Sequence, residues 1–224
     1  MKKLTGRGKY MKRIRNGGSG EIVEKKSRFI ANVFSVDDEE TAVRYINEVK
    51  KKYWDARHNC SAYVIGDKNE LQRFSDDGEP SGTAGKPILE IIDKSGVHNC
   101  LIVVTRYFGG TLLGTGGLIR AYQASAKAGL DASEVMEVID GVKTEIITNY
   151  NNIGKLQYIC TEMGVITTDT IYGENVHLKF VMDKEIFGAF EKKLSDAFSG
   201  TVELLETESK NFAIINDKDI EFVD

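Results

Sequence analysis

The chain has 224 residues, 41% of them hydrophobic, two prolines and a formal net charge of −4. That length fits one large or two small folded domains, and the apolar content excludes a disordered chain. No apolar stretch approaches the ~20 residues that span a bilayer, and the basic N-terminus lacks the apolar segment of a signal peptide, so the sequence predicts a cytoplasmic protein.

Residues 1–19 read as a basic leader running into the GGSG of residues 17–20. Strands are predicted over Gly20–Val23 and Arg28–Val36, around the polar turn EKKS. Asp37 then caps a helix with Asp38, Glu39 and Glu40 in its first turn, where the helix dipole favours acids. Val43, Ile46, Val49 and Tyr53 continue at helical spacing. Asn59–Gly66 reads as a strand, and Asp67–Gly85 as a loop of the length usually reserved for function or disorder. A short apolar helix covers Lys86–Lys94, and the apolar run Asn99–Tyr107 reads as a central strand. Gly116–Asp131 is a helix with Leu118, Ile119, Tyr122, Ala126 and Leu130 on its buried side.

Composition shifts near residue 140. A strand is predicted over Glu137–Thr148, a helix over Asn149–Met163, and a hairpin of Val165–Tyr172 and Asn175–Met182 across Gly173-Glu174. An amphipathic helix, Lys184–Phe198, and a strand, Gly200–Leu205, follow, with glycine as the helix C-cap. The order βαββαβ is the split ferredoxin-like motif. The expected organisation is therefore α+β with two domains, 20–141 and 142–224, after a leader of 1–19.

Charge is uneven along the chain. Residues 1–28 hold ten basic against two acidic side chains, a net of +8, while residues 142–224 hold eight against fifteen, a net of −7. Nucleic-acid contact, if made, belongs to the first domain and the leader. Three cysteines, Cys60, Cys100 and Cys160, are widely spaced without a CxxC pair, which argues against a disulfide framework or a zinc site and for buried thiols. His58 lies two residues from Cys60, so a strand would put both on one face, an arrangement open to nucleophilic chemistry.

Two glycine-punctuated segments carry the chemistry: SDDGEPSGTAGKP (Ser75–Pro87) and TRYFGGTLLGTGGLIRAY (Thr105–Tyr122). The second places Gly109, Gly110, Gly114, Gly116 and Gly117 between a strand and a helix, where backbone N–H groups can converge on an anion. No GK[ST] occurs, which excludes a Walker phosphate loop. Alternatively, the glycines allow close packing of strand on helix. Arg106 and Arg120 flank the loop, with Arg57 and Arg73 in neighbouring segments. These four either bind phosphate bidentately or pair with Asp76, Asp77 and Glu79 to pin the long loop. His58 with Asp76, Asp77 and Glu79 lacks ligand spacing, and Ser-Asp-Asp-Gly is ordinary turn chemistry, so no metal and no cofactor is predicted.

With EIVEKKSRFIA (Glu21–Ala31) and ARHNCSAY (Ala56–Tyr63), these segments resemble the YigZ/YvyE/IMPACT family, bacterial proteins and the related domain of a eukaryotic translation regulator. The resemblance runs from about Gly20 to Gly129. It implies a first domain with the fold shared by a small-subunit ribosomal protein domain, elongation factor G domain IV and GHMP-type kinases. It implies a second domain like the C-terminal domain of elongation factor G. The glycine loop is similar in shape to the kinase phosphate loop but has Gly116-Gly117 where such kinases place serine. The expected function is a non-enzymatic translation-associated regulator that binds RNA, the ribosome or a protein of the translation machinery. A phosphate-binding protein or enzyme, and a protein–protein module docking through residues 67–85, stand as alternatives.

Overall fold

The computed structural model describes residues 10–199, 202–215 and 219–223, which fall into two compact units, with the chain passing from the first to the second between Met136 and Glu137. The first unit is built from β1 (Met11–Asn16), β2 (Ser19–Glu24), β3 (Ser27–Ser35), α1 (Glu39–Lys52), β4 (His58–Ile65), β5 (Leu71–Ser75), α2 (Gly85–Ser95), β6 (Val97–His98), β7 (Cys100–Tyr107) and α3 (Gly114–Asp131). Its antiparallel sheet has the order β2-β3-β7-β4-β5. β7 lies at the centre, buried on both faces from Cys100 to Arg106, as its unbroken apolar run requires. Cys60, Ala62, Ile102 and Val104 face Ile88, Ile92, Leu118 and Tyr122 of α2 and α3. On the other face Leu101, Val103 and Tyr63 pack against Ala42 and Val49 of α1.

Three details differ from the sequence reading. Residues 11–16, expected in the leader, form a strand that pairs in parallel with β6. Ile14 sits in the core, and buried Arg13 bridges Asp67 at 3.0 Å and Asp37 at 3.5 Å. The cap of α1 is Asp38, whose carboxylate accepts from Thr41 N at 2.7 Å. Asp37 serves Arg13 and Asn99 instead. The loop 67–85 contains β5, an edge strand whose exposed Gln72 and Arg73 hide its alternation.

The boundary falls within β8 (Glu134–Ile139), and the second unit goes on through β9 (Gly141–Thr148), α4 (Ile153–Met163), β10 (Ile166–Tyr172), β11 (Val176–Asp183), α5 (Lys184–Phe198), β12 (Glu203–Ser209), β13 (Asn211–Ile215) and β14 (Asp219–Val223). The strand order β10-β11-β9-β12, with α4 and α5 connecting, is the ferredoxin-like arrangement. Ile146, Leu178, Phe180 and Met182 pack on Leu156, Ile159, Phe190 and Leu194 of the helices. The expected C-cap Gly200 lies outside the described residues, and Ser199 (φ 49°) occupies the left-handed cap. The β13–β14 hairpin was not expected. β13 pairs with β8 and buries Phe212 against Ile139 and Val181.

Candidate functional site

At one end of the first unit the strand termini and connecting loops converge. Asp76 organises the long loop there. Its carboxylate accepts from Gly82 N (2.8 Å), Ala84 N (3.0 Å) and Gly85 N (2.8 Å), closing residues 76–85 on the N-terminus of α2. The anion that this helix terminus favours is thus supplied by the chain itself. Asp77 accepts from Asn59 N at 2.7 Å and pairs with Lys50 at 2.7 Å. His58 Nδ1 lies 2.9 Å from Asp77 O. Because a carbonyl only accepts, Nδ1 carries the proton.

Beneath the loop lies a buried polar network. Arg106 Nη1 meets Glu79 Oε1 at 2.6 Å, with side-chain exposures of 7% and 3%. The Tyr122 hydroxyl donates to the same oxygen at 2.8 Å, and Cys60 Sγ donates to Asp76 O at 2.9 Å and contacts Tyr122 Oη at 3.3 Å. Arg106 also lies over Phe29 at 5.4 Å and Phe108 at 5.7 Å. Its Nε is buried without a hydrogen-bond partner among the described residues. Of the four arginines, Arg106 pairs with an acid of the long loop. Arg73 reaches Glu39 at 3.9 Å, and Arg57 and Arg120 are exposed.

Burial pushes the Cys60 thiol up to about 12, and the same cause raises Cys100 and Cys160 to about 12. A nucleophilic thiolate needs the opposite environment. Thiol reagents at pH 8 should therefore leave all three cysteines of the native protein unmodified and titrate three after denaturation; modification of Cys60 in the native protein would contradict this. The linkage has a definite sign. A raised folded-state pKa contributes stability below the unfolded value of about 8.5, lost as pH rises towards about 12, so alkaline unfolding should fall in that window.

The glycine loop divides by role. A Cβ on Gly109 would fall 2.0 Å from the carbonyl carbon of Lys26, so this glycine lets β7 leave the sheet against the β2–β3 turn. Gly109 N donates to Ser27 Oγ at 3.0 Å. Gly110 (φ 84°) and Gly114 (φ 71°) take the left-handed region that glycine tolerates. A Cβ on Gly117 would fall 2.9 Å from Leu113 Cβ, whereas one on Gly116 would meet Arg120 Nη1 at an ordinary 3.5 Å. The first turn of α3 has no side-chain cap and no acid. Lys25, Lys26 and Trp54, which the sequence reading passed over, stand exposed at this same end. Among the described residues no group of three His, Cys, Asp or Glu is placed to hold a metal ion. No described helix is long and apolar enough to cross a membrane.

Comparison with known proteins agrees with this architecture. The Impact N-terminal domain matches residues 25–130, and the domain of unknown function DUF1949 matches residues 146–201. The IMPACT family member YvyE of Bacillus subtilis is 39% identical over 195 residues, covering 87% of this chain and 90% of the relative. A crystal structure of a hypothetical protein superposes with a TM-score of 0.57 at 32% identity, covering 89% of this chain and 98% of that one. The IMPACT homologue of Dictyostelium discoideum is 38% identical over 99 residues, which is 42% of this chain and 28% of the relative. With both domains matched, and a bacterial member aligned over nearly its full length, the chain belongs to the IMPACT family.

Proposed function

We propose that this protein is a translation-associated regulator that acts by binding RNA, the ribosome or a protein of the translation machinery, and not by catalysis. One observation carries the binding half of this reading. Glu79, Arg106, Tyr122, Cys60 and Asp76, which could do chemistry, are bonded to one another or to backbone. What the same end exposes is backbone N–H groups and cations, which suit recognition of anionic partners. The translation half rests on family membership and on the resemblance to the eukaryotic regulator.

Sedimentation of the protein with ribosomes from a lysate tests the reading. It should pellet with ribosomes at low salt and be released as salt rises, because charge contacts are screened. Failure to pellet at any salt, together with ATP turnover above background, would replace this reading with an enzymatic one. The uncapped first turn of α3 favours a second reading, phosphate binding by the glycine loop. Under it, phosphate should raise Tm beyond chloride at equal ionic strength, and Gly116→Ala should blunt the effect.

A further inference from the structure

We infer that the loop end of the first unit is a platform for single-stranded RNA, on which Trp54 and Phe108 stack bases while Lys25, Lys26, Arg57 and Arg120 take phosphates. This rests on the RNA arm of the proposed function and assigns it a surface. Trp54, just past the end of α1, is 83% exposed, and Phe108, just past the end of β7, is 53% exposed. These two aromatic faces stand at the same end as the exposed cations, and every base offers a face to stack on them.

The placement follows from register and hydrogen bonds. Arg28 pairs with Tyr107 and His58 with Arg106, so β3 and β4 begin where β7 ends. The Tyr107 hydroxyl donates to Asp55 Oδ1 at 2.7 Å, tying the loop of Trp54 to that of Phe108. The Lys25-Lys26 turn touches Gly109, and both lysines hold positive φ (46° and 67°). Spacing along α3 brings in Arg120. Gly18 abuts Ala132 and Gly20 abuts Ala128, so β2 runs antiparallel to α3. At about 3.3 Å per strand residue and 1.5 Å per helix residue, Lys25 arrives near the level of Gly117.

Charge at this end is positive although the chain as a whole is acidic. Among the described residues Lys25, Lys26, Arg57 and Arg120 make no ion pair, while Glu21 is held by Arg28 at 2.7 Å, Asp77 by Lys50 and Glu79 by Arg106. Exposed Glu24 and Asp55 oppose four unpaired cations. Cations interleaved with exposed aromatics fit a single strand, whose bases are free to stack, better than a duplex.

Trp54 is the single tryptophan of the chain, so intrinsic fluorescence reports on this surface directly. Titration of the full chain with a twelve-nucleotide uridine RNA should quench it saturably. Four phosphate contacts on a single strand imply a log–log salt slope of about −3, hence a loss of about 50-fold in affinity from 50 to 200 mM salt. Phe108→Ala should weaken binding at least about five-fold, and Lys25→Glu with Arg57→Glu should weaken it further and flatten the slope. These positions are exposed, and an unchanged Tm confirms that the variants fold. No quenching by RNA, equal quenching by polyglutamate, or tighter binding of the matching DNA oligomer would overturn the assignment. If ribosome sedimentation persists while RNA fails to quench, the platform falls and the regulatory reading stands; loss of both overturns both.

Discussion

Replacing Glu79 by alanine should cost about 3–5 kcal/mol, because it leaves the Arg106 guanidinium buried without its counter-ion. It also removes the acceptor of the Tyr122 hydroxyl. In urea the midpoint should fall with little change in m, the signature of lost stability in an otherwise unchanged fold. Desolvation of an ion pair often outweighs its attraction, so Glu79→Leu combined with Arg106→Met should recover most of the loss. If the single and double variants are equally unstable, the network supports the fold through some route other than charge compensation. A Glu79→Ala protein as stable as the parent would show that the pair is solvated in solution.

Two glycines of one loop should respond in opposite directions. Gly109→Ala places a methyl 2.0 Å from backbone of the β2–β3 turn, which cannot yield as a flexible side chain would. The turn must move off the loop, at a cost of about 3 kcal/mol or more. Gly116→Ala lies inside a helix, where its methyl would meet only the flexible Arg120 side chain at an ordinary 3.5 Å, and should stabilise by up to about 1 kcal/mol, the propensity difference between the two residues. Thermal unfolding of the two variants checks this; equal effects would mean that packing does not distinguish the two positions. Because Gly116→Ala preserves the fold, any loss of binding it causes belongs to the exposed first turn of α3.

Much of this architecture is legible in the sequence where local physics acts alone. Lys184–Phe198 emerges with the expected bounds, since an amphipathic period and the Asp183 cap coincide. β7 is central because an unbroken apolar run can only be buried on both faces. The elements that escaped depend on distant partners. β1 looks like a polar leader because its Lys12, Arg13 and Arg15 mask the buried Ile14, and buried Arg13 is met by Asp37 and Asp67, far away in sequence. β13 and β14 carry weak local signals and are held by pairing with β8. At the site, Asp76 looked like turn chemistry and is so, yet nothing local shows that it reaches Gly82, Ala84 and Gly85. Lys25 and Lys26 read as an ordinary polar turn, since only the fold brings them to Gly109.

The central claim is that the basic loop end of the first unit acts on translation, and a reconstituted translation reaction tests it most directly. Added in near-stoichiometric amounts to ribosomes, the protein should change the rate of synthesis in a dose-dependent way. The Lys25→Glu, Lys26→Glu, Arg57→Glu variant, with unchanged Tm, should have little effect, since those exposed charges make no ion pair among the described residues. A synthesis rate indifferent to excess protein, or an undiminished effect of the variant, would contradict the account.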